Sequence, residues 1–185
     1  MSLAQLESQI DDLRKQAERI QSRWASTSDS LANSKDLSDT GKRAKLDDEH
    51  AQVSAKLSDL RKQETELIIA KRQSLEKSLF GLSSVTSTDP GQILVYRDAH
   101  DRAARLTSDD AEQVFASALR SDDKTLAAAV LAKALADGWS SIVAEYVKRN
   151  PGTREYINDL AKLQEYDSFG ATLTYATMGQ SLRRV

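Results

Sequence analysis

The side chains that could do chemistry in this 185-residue chain are few, and their spacing limits what they could do. The two histidines, His50 and His100, lie far apart in sequence, and neither has a second ligand-type residue three or four positions on. A metal site needs three or four converging ligands, and the chain has no cysteine to add to them. His50 follows Asp47, Asp48 and Glu49, which reads as the charged edge of a helix seam. The acidic pairs Asp109-Asp110 and Asp122-Asp123 each follow a serine. Carboxylates at a helix start are stabilised by the positive end of its dipole, which accounts for both pairs without catalysis. Asp89-Pro90-Gly91 is a turn signal and does not fit a calcium loop. No phosphate-binding glycine loop, nucleophile elbow or zinc-protease helix motif occurs. The expectation is a protein without catalytic residues, cofactor, metal or small-molecule substrate.

Basic clusters are the remaining candidates. Lys42-Arg43-Lys45, Arg61-Lys62 and Lys71-Arg72 alternate with acids and read as solvated helix faces. Arg183-Arg184 closes the chain and could dock on an acidic partner surface, although a helix end complementing its own dipole serves as well. Net charge is −2, with 26 basic and 28 acidic residues. That balance gives no broad attraction to nucleic acid.

The elements that would position any such residue begin with Leu3 to Leu79. Leu3, Leu6, Ile10, Leu13, Ala17, Ile20, Trp24, Thr27 and Leu31 are spaced alternately by three and four. A seam sustained over about four heptads predicts a coiled-coil helix. Ser2 and Gln5 have capping-box spacing at its start. From Ser26 to Gly41 the chain is rich in Ser, Thr and Asp, which favours turn over helix interior. A second arm should begin after Asp39 or Thr40, with Leu46, Val53, Leu57, Leu60, Leu67, Ile68, Leu75 and Leu79 as its apolar positions. Its seam is weaker, because His50, Glu64 and Lys71 fall at or near it. The two arms predict an antiparallel helical hairpin over residues 1–80, with Leu3, Leu6, Ile10, Leu13, Ile20, Trp24 and Leu31 as its candidate protein-contact residues.

Only Trp24 precedes Phe80 among the aromatic residues. Large rings supply much of a globular core, so the compact domain is expected in the second half. Gly81 to Gly91, GLSSVTSTDPG, reads as a linker. Beyond it five helices are expected over 92–185, punctuated by Thr107 or Ser108, Ser121, Gly138, Asn150-Pro151-Gly152 and Thr153. The tail from Ser168 carries the alternating stretch Thr172 to Thr177, suited to a strand, but with no partner strand in prospect it is read as helical or irregular. The fold class is therefore all-α: a long antiparallel coiled-coil hairpin followed by a compact multi-helix domain, either an irregular bundle or a HEAT-like stack. No fixed repeat period emerges. No apolar run approaches a membrane span and no signal peptide is read, so a soluble protein is expected.

This layout is similar to small helical proteins of tailed-phage structural gene modules. The run LAAAVLAKALADGWSSIVAEYVKRNP, ending at Pro151, looks like helical segments of small actinobacteriophage proteins. The resemblance covers about a seventh of the chain and carries no site residues. It implies a virion or assembly component, such as a head–tail connector, neck, capsid-associated or scaffolding protein, in the virion or host cytoplasm. Its partners would be further copies of itself and other virion proteins. The hairpin seam and the alanine-rich stretch Ala127 to Ala136 would supply contacts. A cellular adaptor whose hairpin binds a partner helix is the alternative.

Overall fold

A computed structural model describes residues 2–81, 88–166 and 174–176. The fold is all-helical, with a long N-terminal helix pair and a compact multi-helix region, and no strand occurs among the described residues. The helices are α1 (Leu3–Ala32), α2 (Asp39–Phe80), α3 (Pro90–Ala104), α4 (Ser108–Arg120), α5 (Lys124–Asp137), α6 (Ser140–Arg149) and α7 (Arg154–Tyr166). Two compact units form. The described part of the first is residues 2–71 with 162–166 and 174–176; that of the second is residues 72–81 and 88–161. The boundary expected at residue 80 thus falls at 71, and the described residues 162–166 and 174–176 belong with the N-terminal unit rather than with the second half. The linker expected at 81–91 lies mostly outside the described residues.

Local signals set the helix ends. The Ser2 hydroxyl accepts from the Gln5 backbone N–H at 3.2 Å, and the Ser2 N–H donates to Gln5 Oε1 at 2.9 Å, completing the capping box. At 1.5 Å per residue α1 is about 45 Å long and α2 about 63 Å. The turn between them is tighter than its composition suggests, because α1 continues through Ser26–Ala32. Serine and threonine in a helix interior cost only about 0.5 kcal/mol each, and burial of Trp24 and partial burial of Leu31 in the seam outweigh that. Ser38 then starts α2: its hydroxyl accepts from the Gly41 N–H at 3.2 Å.

The two arms run antiparallel within the first unit. Near the turn Lys42 Nζ donates to the Ala32 carbonyl at 3.2 Å. Further out Trp24 meets His50 edge to face, with ring centroids 5.7 Å apart, and further still Arg14 meets Glu64. Leu13, Ala17 and Trp24 of α1 and Leu46, Val53, Leu57 and Leu60 of α2 are buried in one cluster, with Ile20, Leu31 and Leu67 partly buried against it.

In the second unit α5 is the central helix. Leu126, Ala127, Ala129, Val130, Leu131 and Ala134 are all buried, and a helix apolar on most of its circumference belongs inside a core. It packs against α3, α4 and α6, where small residues on both sides, Ala99 and Ala103 of α3 and Ala111 and Ala118 of α4, share its core. This corrects the expectation that the alanine-rich stretch forms a contact rim: Ala127, Ala129 and Ala134 are interior, and only its end, at Ala136, is exposed. A second cluster joins Leu79 of α2, Leu131 of α5 and Ile157 of α7.

The caps here follow the sequence with one shift. Asp89 caps α3 with Pro90 in its first turn, and Thr107 caps α4. The α5 cap is Asp123, whose carboxylate accepts from the Leu126 N–H at 2.9 Å, rather than the expected Ser121. Ser121 instead ends α4, and Asp122 makes the turn at φ 53°. Gly138 closes α5 at φ 78°, a left-handed conformation in which a side chain is strained. Replacing it with alanine should lower stability by about 1 kcal/mol, read as a reduced urea midpoint with unchanged slope.

Candidate functional site

Among the described residues the buried charged side chains are Glu64 and Lys71, both on α2. Glu64 is 2 % exposed and is the centre of the most developed polar site. The site is a buried acid held by an arginine from the opposite arm and a tyrosine from the tail.

Each partner comes from a different stretch of chain. α1 presents Arg14 next to the seam residue Leu13. Arg14 Nη2 donates to Glu64 Oε1 at 2.7 Å and its Nε to Oε2 at 3.3 Å, a two-point ion pair. Tyr175 donates its hydroxyl to Glu64 Oε2. The Tyr175 ring is 6 % exposed and belongs to the Leu13–Ala17–Leu57–Leu60 cluster. Gln21, two turns along α1 from Arg14, uses its side-chain N–H groups on the tail backbone, donating to the Thr174 carbonyl at 3.0 Å and the Ala176 carbonyl at 2.8 Å. Tyr166, at the end of α7, lies with its ring centroid 5.8 Å from the Arg14 guanidinium carbon, within cation–π range.

The electrostatics follow this geometry. The hydrogen bond to Glu64, against a smaller penalty from burial, holds the Arg14 guanidinium above its ordinary value. Burial first, then the hydrogen bond to Glu64 and its charge, push the Tyr175 phenol well above its ordinary range, while Arg14 pulls the other way. Tyr175 is therefore a neutral donor at any physiological pH. Both oxygens of the Glu64 carboxylate are thus engaged, Oε1 by Arg14 and Oε2 by Arg14 and Tyr175.

Four of the candidate contact residues of the sequence, Leu13, Ile20, Trp24 and Leu31, meet in the hairpin cluster. Leu3, Leu6, Ile10, Leu13 and Trp24 are buried within the single chain. Ile20 and Leu31 are partly buried against the hairpin cluster. Ile20 and Trp24 also border a cleft of about 290 Å³ flanked by Arg19, Arg23, Glu49 and Lys56. Arg183 and Arg184 lie outside the described residues. Glu64, which reads in sequence as a flaw in the α2 seam, is the centre of the site. Nothing in the sequence marks Gln21 or Tyr175 as its partners. Equal counting from the turn does not find Arg14 either, since it lies 18 residues before the end of α1 and Glu64 lies 25 residues after the start of α2.

His100 is half-buried against Tyr96, with centroids 4.3 Å apart, and burial lowers its pKa against the opposing charge of Asp101. Among the described residues no group of three His, Asp or Glu side chains could hold a metal. In the second unit a cleft of about 500 Å³ between α4 and α6 has an apolar floor of Phe115, Leu119 and Ile142, with Arg120 and an Arg149–Glu145 ion pair at its edge. No helix among the described residues is long and apolar enough to cross a membrane. No family model matches the sequence, and neither a curated protein nor a solved structure does.

Two measurements test the cluster. Arg14→Met should destabilise the chain by about 3 kcal/mol, since it strands a buried carboxylate, whereas the double variant Arg14→Met with Glu64→Leu should recover part of that loss, the remainder being the Tyr175 hydroxyl left without its acceptor. Urea unfolding of the four-member cycle reads both. Because folding raises the Tyr175 phenol above its unfolded value, its contribution to stability is full below about pH 10 and is lost as pH rises beyond that. A Tyr175→Phe chain should lack this alkaline component in a stability–pH profile.

Proposed function

We propose that the protein is a non-enzymatic structural or assembly component that works through helix-face protein–protein contacts. The observation that carries this reading is the use made of the buried polar groups. In the hairpin, Glu64, Arg14 and Tyr175 neutralise and hydrogen-bond one another around a helix seam. Buried polar groups at helix seams set register and partner choice, at some cost in stability. The chain invests polar chemistry in fixing a shape.

Exposed apolar side chains provide surfaces for contacts. Leu94 is 69 % exposed and Val95 48 % on α3, with Ile69 on α2 and Tyr156 on α7 also open to solvent. Together with the resemblance of the alanine-rich run to small phage proteins, this favours a homo-oligomeric component of a phage particle or its assembly pathway, in a connector, neck, capsid-associated or scaffolding role.

Light scattering after gel filtration should return a mass above that of the 20.4 kDa chain at both low and high salt, because contacts through apolar helix faces are insensitive to screening. A single-chain mass at both salts would overturn the homo-oligomeric reading.

A further inference from the structure

The tail is held to the hairpin in a manner that resembles the recognition of a ligand. Three consecutive residues are engaged. The Thr174 and Ala176 carbonyls are clamped by the two N–H groups of one side-chain amide, that of Gln21. Between them Tyr175 is buried in the hairpin's apolar cluster and places its hydroxyl on Glu64. Glu64 is in turn oriented by the two-point bond from Arg14. Backbone clamp, apolar slot and buried acceptor at the slot's end are the parts of a short-peptide site. The clamp fixes direction, the slot takes a large ring, and the acceptor selects tyrosine over phenylalanine, because Glu64 would lack one of its bonds to a phenylalanine in a place from which water is excluded.

We propose that this hairpin site is a recognition site for a tyrosine-bearing segment, filled by the chain's own tail in the single molecule and by the tail of a second copy when chains meet. The occupant is identified by the seated segment itself. Every copy carries the same Thr174-Tyr175-Ala176, and the bonds it makes are the same whichever copy supplies it. Exchange of an identical element between protomers is a low-cost route to association, because every interaction the tail gives up in its own chain is made again in the other. The inference rests on the assembly reading for its purpose but not for its test: the mass of the wild-type chain decides the first, and the variants below decide the second.

The first experiment uses a fluorescent peptide spanning Ser168–Ser181, titrated with the full-length Tyr175→Ala chain, whose own tail has lost its anchor. Saturable binding is expected. A peptide with phenylalanine at position 175 should bind about tenfold more weakly, as should the wild-type peptide to a Gln21→Ala, Tyr175→Ala chain. The wild-type chain, with its site already filled at the high effective concentration of a tethered tail, should bind the peptide at least about tenfold more weakly than Tyr175→Ala does. The second experiment mixes donor- and acceptor-labelled full-length chains. Energy transfer between Tyr175→Ala, with an open site, and Glu64→Gln, with an intact tail, should exceed that of Tyr175→Ala mixed with itself. Circular dichroism checks that Tyr175→Ala keeps its helices; if it does not, Tyr175→Leu, which keeps an apolar side chain but neither fills the slot with a ring nor bonds Glu64, serves as the receptor in both experiments. No binding, equal binding of the tyrosine and phenylalanine peptides, or energy transfer no greater than in the self-mixture overturns the proposal.

Discussion

A carboxylate removed from water must be neutralised and hydrogen-bonded, and the N-terminal unit is arranged around that requirement at Glu64. An isolated buried charge costs several kcal/mol, and a single partner rarely repays it. Here α1 brings a guanidinium to both oxygens and the tail brings a phenol to one of them. The consequence for the fold is selectivity. A leucine seam tolerates sliding by a heptad, since one leucine replaces another. A seam with one acid tolerates only the register that places Arg14 beside it. The same demand reaches the tail: Tyr175 lies 111 positions away in sequence, and its hydroxyl finds its acceptor at Glu64.

What could be read in the sequence was what is local. The capping box at Ser2 and Gln5, the cap at Asp89 with Pro90 behind it, and the left-handed stop at Gly138 each depend on residues within a few positions of one another. The heptad seam of α1 is likewise a repeating local pattern, and the burial of Leu3, Leu6, Ile10, Leu13 and Trp24 follows it. The site was not legible for the same reason. Glu64 alone reads as a weak point in an apolar stripe, and Tyr175 sits in an alternating stretch that suits a strand. Only pairing across the hairpin and across most of the chain gives either residue a meaning. Propensity failed where burial overrode it, in the serine-rich end of α1.

The two units solve the problem of a lean apolar inventory differently. The second is aromatic and alanine-rich. Its central helix α5 packs by close approach, with small residues on α3 and α4 sharing the same core. Hydrophobic character around most of a helix is a mark of burial, which is why the alanine run is interior rather than an exposed contact strip. The first unit has long helices and a narrow stripe, and a two-helix seam leaves one flank of its apolar residues open. The Tyr175 ring fills part of that flank, in the cluster with Leu13, Ala17, Leu57 and Leu60. A third element is what a two-helix seam physically requires, and here Thr174-Tyr175-Ala176 of the same chain supplies it.

That origin has a thermodynamic consequence for assembly. A tethered tail competes at an effective concentration in the millimolar range, so in dilute solution the intramolecular arrangement prevails even over an identical segment from another chain. The balance changes where copies are crowded, because the interactions at Gln21, Glu64 and the ring slot are the same in either arrangement and cancel from the comparison. What remains is local concentration. A site of this kind therefore needs no change in its own chemistry to pass from a closed single chain to linked copies. Under the exchange proposed above, occupancy by a second copy would rise with density, a property that a growing assembly supplies and a dispersed pool of subunits does not.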